Sequence, residues 1–292
     1  MKKKLLRLIS DDLYRQSFSP ELRAELERRF EIEALGEQTD IAEPEWIGKL
    51  ERQDVILGGW NWRHHLPETY QAPKPQLWCH LTGTVARVVH PFNLQHGVRL
   101  TNWGDAISHT IAECSHMLIL ACLRRLGYEF RSTVIARQWT APDMPHTMSL
   151  FEKRVGIVGF GRIAQKLVPL LRPYRVKIAA LDPYAPDEVF AMHDVRRVQT
   201  REALFTESDI VSLNTAKTPE TDDLVDAGVM NLLPDWGVIV NTARGNVLNE
   251  TDLAAQHKAG RLFSGLDVFA VEPIPPNHPL RDTPLCVIST HQ

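Results

Sequence analysis

Apolar residues along this chain fall into short unbroken runs, separated by longer stretches in which they recur every three or four positions. The runs Leu5–Ile9, Asp54–Leu57, Leu77–Leu81 and Val98–Thr101 predict strands, and Pro20–Phe30 behind the cap Ser19 predicts a helix. A long helical pattern follows over Ile107–Leu126. Gly127–Leu150, which holds Trp139, Pro142 and Pro145, has no clear period and reads as an arm or linker. Beyond it Val155–Val158, Val176–Leu181, Val195–Val198, Asp209–Asn214, Gly237–Asn241 and Gly265–Val268 predict strands. Asp223–Leu233 and Asn249–Ala259 predict helices, and Gly260 marks a helix stop. This alternation predicts an α/β unit over residues 1–102 and a doubly wound parallel sheet over 103–292, with right-handed connections.

One junction in that pattern carries chemistry of its own. Val155–Val158 runs into Gly159-Phe-Gly161-Arg-Ile-Ala164, and the next strand ends on Asp182. A strand, glycine turn, helix and second strand closed by an acid form a dinucleotide-binding fingerprint. Gly159 permits the tight turn, Gly161 lets the backbone approach a pyrophosphate, and small Ala164 lets the helix pack on the strand. The pyrophosphate then rests on the free N–H groups of the helix N-terminus. An ordinary glycine turn would carry the same small residues; the two flanking strands and the acid about 20 residues on tell the readings apart.

Composition narrows the function classes. With 292 residues the chain is long enough for two domains, and a net charge of −3 offers no basic field for nucleic acid. The start, Met1-Lys-Lys-Lys, is basic, but the apolar run behind it is broken at Arg7 and closed by Asp11 and Asp12, so it reads as a first strand. No run is long enough to span a bilayer, and no membrane partner is expected. Cys79, Cys114, Cys122 and Cys286 lie far apart without metal-ligand spacing; no metal is expected, and a reducing, cytoplasmic setting is.

Three charged residues stand where these strands end: Arg244 in Asn241-Thr-Ala-Arg-Gly245, Glu272 in Asp267-Val-Phe-Ala-Val-Glu-Pro273, and His291 in Ile288-Ser-Thr-His291. In open parallel sheets ligands bind beyond the carboxyl ends of the strands. An arginine there can hold a carboxylate by a two-point fork, and a histidine can exchange a proton near neutral pH. A nicotinamide supplies hydride but neither orientation nor proton, and these groups offer both. Singly they also suit a surface charge, a turn residue before Pro273 and an edge histidine. The loop Leu81-Thr82-Gly83-Thr84, just past a strand, suits a carboxylate cradle or a plain turn equally.

The combined motifs resemble the D-isomer-specific 2-hydroxyacid dehydrogenase family, which includes glycerate, phosphoglycerate, lactate and hydroxypyruvate or glyoxylate enzymes. The resemblance rests on Gly156-Ile-Val-Gly-Phe-Gly-Arg-Ile-Ala164, Ser208-Asp-Ile-Val-Ser-Leu213, Thr218-Pro-Glu-Thr221, Val240-Asn-Thr-Ala-Arg-Gly245, Leu266-Asp-Val-Phe269 and Glu272-Pro273. It implies a Rossmann cofactor domain beside a smaller flavodoxin-like α/β substrate domain, assembled as a homodimer. It implies hydride transfer between NAD and a small 2-oxo or 2-hydroxy acid. Arg244 would bind the substrate carboxylate, His291 would exchange the proton, and Glu272 would hold His291 protonated. Asp182 would take the adenosine ribose hydroxyls, favouring NAD over NADP. Arg162 and Ile163 would lie at the pyrophosphate, Thr242 and Ala243 beneath the nicotinamide ribose, and Asp267 near the carboxamide. Backbone N–H groups of Thr82, Gly83 and Thr84 would meet the substrate carboxylate.

Several positions depart from the family pattern. Thr290 precedes the histidine where the family has proline, and the Leu81–Arg87 loop lacks the usual glycine-rich, aspartate-containing form. Arg196 and Arg197 offer an alternative partner for a 2′-phosphate, which Asp182 would repel. Trp60, Trp62, His64 and His65 suit either packing or substrate choice. In the family a further helix follows the histidine and returns to the first domain; without it, reduced or absent activity is expected of the 292-residue chain. The fold also suits two other functions: a non-catalytic dinucleotide sensor of the corepressor kind, and a phosphite or formate dehydrogenase relative.

Overall fold

The computed structural model describes residues 2–36, 41–59, 66, 70, 75–83, 85, 91–95, 97–139 and 146–291. The chain divides into two compact units, Met1–Ala106 and Ile107–Gln292, and each is described by itself.

In the first unit β1 (Lys3–Arg7), β2 (Phe30–Ala34), β3 (Val55–Gly58), β4 (Leu77–His80) and β5 (Arg99–Thr101) form a parallel sheet in the order β2-β1-β3-β4-β5. That is the flavodoxin-like order. Leu6, Ile56 and Trp78 point into one apolar layer with Trp46 and Leu50, while Leu5, Val55 and Leu57 point into the other, as the period of two requires. Helix Pro20–Arg29 forms as expected, with the Ser19 hydroxyl accepting from the Leu22 N–H (3.3 Å).

The second unit holds β6 (Arg154–Val158), β7 (Lys177–Leu181), β8 (Arg196–Arg197), β9 (Ile210–Leu213), β10 (Val238–Asn241), β11 (Phe263–Leu266) and β12 (Cys286–Ile288). They form one sheet in the order β12-β11-β10-β9-β6-β7-β8, every pairing parallel. The order reverses beside β6, the switch point at which doubly wound sheets take their ligands. Both faces are covered. Val238 and Val240 enter one apolar layer with helix Ser108–Leu123, and Ile239 enters the other with Leu253 and Met230, which is why β10 is a continuous apolar run.

Several elements differ from the sequence reading, three of them in kind. Phe30–Ala34 is an edge strand whose residues are exposed or half-buried, and it follows a helix without a turn residue, so its Phe-Glu-Ile-Glu alternation is hidden. Of the helix expected over Asp223–Leu233 only Ala227–Met230 forms. Upstream, the Asp223 and Val225 N–H groups donate to the carbonyls of Asn246 (2.8 Å) and Val247 (3.0 Å), which keeps the chain extended. Gly127–Leu150 is not all linker: Leu126–Glu129 is helical and Phe130–Ile135 forms a π-helix. No helix among the described residues is long and apolar enough to cross a membrane.

Candidate active site

The turn after β6 is shaped by steric necessity. Gly159 has φ +83°, and a Cβ there would stand 2.8 Å from the backbone of Thr215, so the turn admits glycine alone. Gly161 opens helix Arg162–Leu171, and a Cβ on it would meet nothing within 4 Å. The helix N-terminus therefore faces open space, with Arg162 exposed and Ile163 half-buried beside it, while Ala164 is fully buried against the sheet. Asp182 ties the second strand to this turn. Its Oδ2 accepts from the Phe160 N–H (2.7 Å), and its Oδ1 accepts from Tyr184 N (2.8 Å) and Ala185 N (3.0 Å). Free N–H groups at a helix end with an acid one strand away fit the pyrophosphate and ribose of a dinucleotide.

The two arginines that offered a 2′-phosphate site are already engaged. Arg197 pairs with Asp187 and donates to the Asp182 carbonyl (2.9 Å), and Arg196 pairs with Glu207. Recruiting either would mean breaking an ion pair, and only the Arg197 pair lies beside Asp182.

Farther along the carboxyl edge, three loops are stapled by side chains. Asn241, fully buried at the end of β10, accepts from Ala243 N (3.0 Å) and donates to the Arg244 carbonyl (2.9 Å), folding residues 241–244 into a tight turn. Thr242 and Ala243 are buried in it, and the Thr242 hydroxyl meets Ser115 of the long helix (2.7 Å). Arg244 projects outward, donating to the Ala243 carbonyl (2.6 Å). Asp267, buried past β11, accepts on Oδ1 from the Ser289 hydroxyl and the His291 N–H (3.1 Å). Glu272 accepts from Phe269 N (2.9 Å) on one oxygen and contacts His291 Nδ1 (2.7 Å) on the other. That bond places a proton on Nδ1 of a side chain that is 39% exposed.

The structure thus brings Asp267, Glu272 and His291 into direct contact and joins Arg244 to them through the backbone. A Cβ at Gly245 would overlap the Phe269 carbonyl carbon and the Ala270 nitrogen, so the two loops touch directly after Arg244. Asn241, Gly245, Ser115 and Ser289 were missed in the sequence, where nothing but the Asn241-x-x-Arg244 spacing hints at the turn. Thr82 and Gly83 belong to the first unit: the Thr82 hydroxyl bonds His80 Nε2, and the Gly83 carbonyl accepts from Asn102 (2.6 Å). Thr84, Trp60, Trp62, His64 and His65 lie outside the described residues. Burial, and then the Asp267 carboxylate, push the Cys114 thiol up, and burial pushes Cys286 up to about 12, so neither is a nucleophile.

Residues 116–292 match the family described as D-isomer specific 2-hydroxyacid dehydrogenase, NAD binding domain. The chain belongs to this family. It is 32% identical over 201 residues to a human glyoxylate reductase/hydroxypyruvate reductase, the match covering 68% of this chain and 61% of that protein. A hydroxypyruvate reductase of Thermotoga maritima is 31% identical over 182 residues, covering 61% of this chain and 57% of that one. The matches therefore span about three fifths of the length of these curated relatives. Among solved structures, a glyoxylate reductase from Paecilomyes thermophila superposes with a TM-score of 0.81 at 20% identity, covering 100% of this chain and 89% of that one, a likeness of fold.

Proposed function

We propose that the chain is an NAD-dependent oxidoreductase interconverting a small 2-oxo acid and its D-2-hydroxy acid. The observation that carries the reading is the Glu272–His291 pair, stapled to the edge of the same sheet whose first turn is open to a dinucleotide. Arg162 and Ile163 would border the pyrophosphate, Asp182 the adenosine ribose, Thr242 and Ala243 the nicotinamide ribose, and Asp267 the carboxamide. A bound nicotinamide supplies or accepts the hydride at the substrate's second carbon. Arg244 forks the substrate carboxylate and draws charge from the carbonyl oxygen. His291 Nε2 delivers the proton to that oxygen on reduction and takes it back on oxidation, while Glu272 holds Nδ1–H and fixes the ring. The Thr82–Thr84 loop is the proposed second source of carboxylate donors.

Relatives named hydroxypyruvate and glyoxylate reductases support this substrate class. A homodimer is proposed on the apolar row Leu126, Phe130 and Val134, all more than half exposed at helical spacing. The test is NADH oxidation with glyoxylate, hydroxypyruvate and pyruvate, which should vanish in Arg244→Ala and fall steeply in His291→Ala. Undiminished turnover in both variants refutes the roles. NADH binding without turnover of any acid would instead favour the dinucleotide sensor.

A further inference from the structure

Glu250 and His278 form a second carboxylate–imidazole pair in this unit, and the reaction proposed above makes no use of it. Glu250 opens helix Glu250–Lys258, and its Oε2 meets His278 Nε2 at 3.0 Å, with the two side chains 15% and 14% exposed. The His278 Nδ1 accepts from the Leu280 N–H (3.4 Å), so Nε2 carries the proton and donates to the carboxylate. The other oxygen, Oε1, accepts from the Ala270 N–H at 2.7 Å. His278 also stands edge-on to the Phe269 ring, with centroids 5.8 Å apart. Both members of the pair therefore hold residues 269 and 270.

The Phe269–Ala270 peptide is where the loops of the site meet. Gly245, the residue after Arg244, lies against it so closely that a Cβ would overlap its atoms. The preceding N–H, of Phe269, donates to Glu272, the carboxylate that holds His291. Glu250 thus holds the peptide on which the Arg244 turn rests, and the preceding peptide along the chain is the one whose N–H fixes Glu272.

We propose that Glu250, seated by His278, is a positioning residue that holds the Ala270 N–H and thereby sets where the Glu272 carboxylate meets His291. The proposal rests on the hydroxyacid dehydrogenase reading for its catalytic meaning, and on geometry alone for the linkage from Glu250 to His291. Glu250→Ala removes the acceptor. Glu250→Asp keeps the charge but withdraws it by one methylene from Ala270, and Glu250→Gln keeps an acceptor oxygen at full reach of the Ala270 N–H while exchanging the oxygen that faces His278 for an NH2 group.

The experiment is performed on the full chain labelled with 15N-histidine, with the His291 ring signals identified by their loss in His291→Gln. In Glu250→Ala and Glu250→Asp the His291 Nδ1 and ring-proton signals should move from their wild-type positions, and in Glu250→Gln they should return. In parallel, kcat should fall about ten- to hundredfold in the first two variants, as for a misplaced catalytic group, with KM for NADH unchanged. The Gln variant should recover most of the rate. His291 signals at wild-type positions in folded Glu250→Ala or Glu250→Asp overturn the proposal, whatever the rate. Displaced signals in a chain that turns over none of the oxo acids uphold the linkage and reject the hydroxyacid dehydrogenase reading instead.

Discussion

His257 provides a sharp test of the packing beneath the site. It lies in the last turn of helix Glu250–Lys258, 6% exposed, with Nε2 3.2 Å from the Ser264 hydroxyl. Ser264 gives its own proton to the Cys286 sulfur (3.2 Å), so its oxygen accepts from His257 Nε2–H, and the buried Nδ1 has no hydrogen-bond partner among the described residues. Charging the ring would place a second N–H where nothing accepts it. Burial accordingly lowers its pKa from 6.5 to about 4. The helix C-terminus favours a cation by only about 0.3–1 kcal/mol, so burial dominates. The unfolded chain binds the proton more tightly than the folded one between these values. Stability is therefore full above about pH 6.5 and drains away as pH falls towards 4, by about 3 kcal/mol if the whole shift is realised. His257→Gln, which keeps a hydrogen-bonding group and cannot titrate, should lose that much less between pH 7 and pH 4 in urea unfolding. Equal pH slopes for the two proteins would refute the reasoning.

Two further substitutions probe the frame of the site. Gly245→Ala forces the Arg244 turn away from the Phe269–Ala270 peptide, and overpacking against backbone should cost about 3 kcal/mol or leave the chain insoluble; a thermal melt decides between these and no effect. Asp182→Ala strips the acceptor from three backbone N–H groups, so it should lower stability by about 1–3 kcal/mol as well as weaken NADH binding, whereas a purely cofactor-facing acid would affect binding alone.

The turn proposed for the nucleotide is legible in the sequence because its determinants are local. Gly159, Gly161 and Ala164 act through backbone conformation and one turn of helix, and β6 declares itself by an apolar run buried on both faces. Glu272 and His291 stand out as ionisable residues just past strands, although β12 itself is three residues long and sits at the sheet edge. What stayed hidden depends on contacts between distant segments. Gly245 reads as an ordinary loop glycine until Phe269 is brought against it, and Glu250 and His278 read as a helix-start acid and a residue before proline. The strand expected over Gly265–Val268 forms two residues earlier because Phe263 and Ser264 already pair with β10, while Asp267 keeps one N–H bond to the Asn241 carbonyl (3.0 Å) and lies past the last paired residue, Leu266.

Three acids at this edge share one way of working. Glu250, Asp267 and Glu272 each accept from a backbone N–H, of Ala270, His291 and Phe269 in turn, and each also engages a side chain, of His278, Ser289 and His291. The residues they hold lie beyond the ends of β11 and β12, where the ladder is ending. A hydrogen bond to a charged acceptor contributes about 1.5–3 kcal/mol, enough to keep such a loop in one conformation when two or three act together. Each carboxylate is thus both a charge near the groups proposed to react and a fastening for the segment that carries them. Alanine variants remove both at once, so a lost rate in Glu272→Ala does not separate them. The amide variants separate charge from the backbone fastening, because Gln and Asn keep one oxygen to accept the N–H while losing the charge and exchanging the other oxygen for an NH2 donor. A site stapled in this way should tolerate an amide wherever fastening is the role and fail wherever the negative charge itself is needed, which places Glu250 on one side of that division and Glu272 on the other.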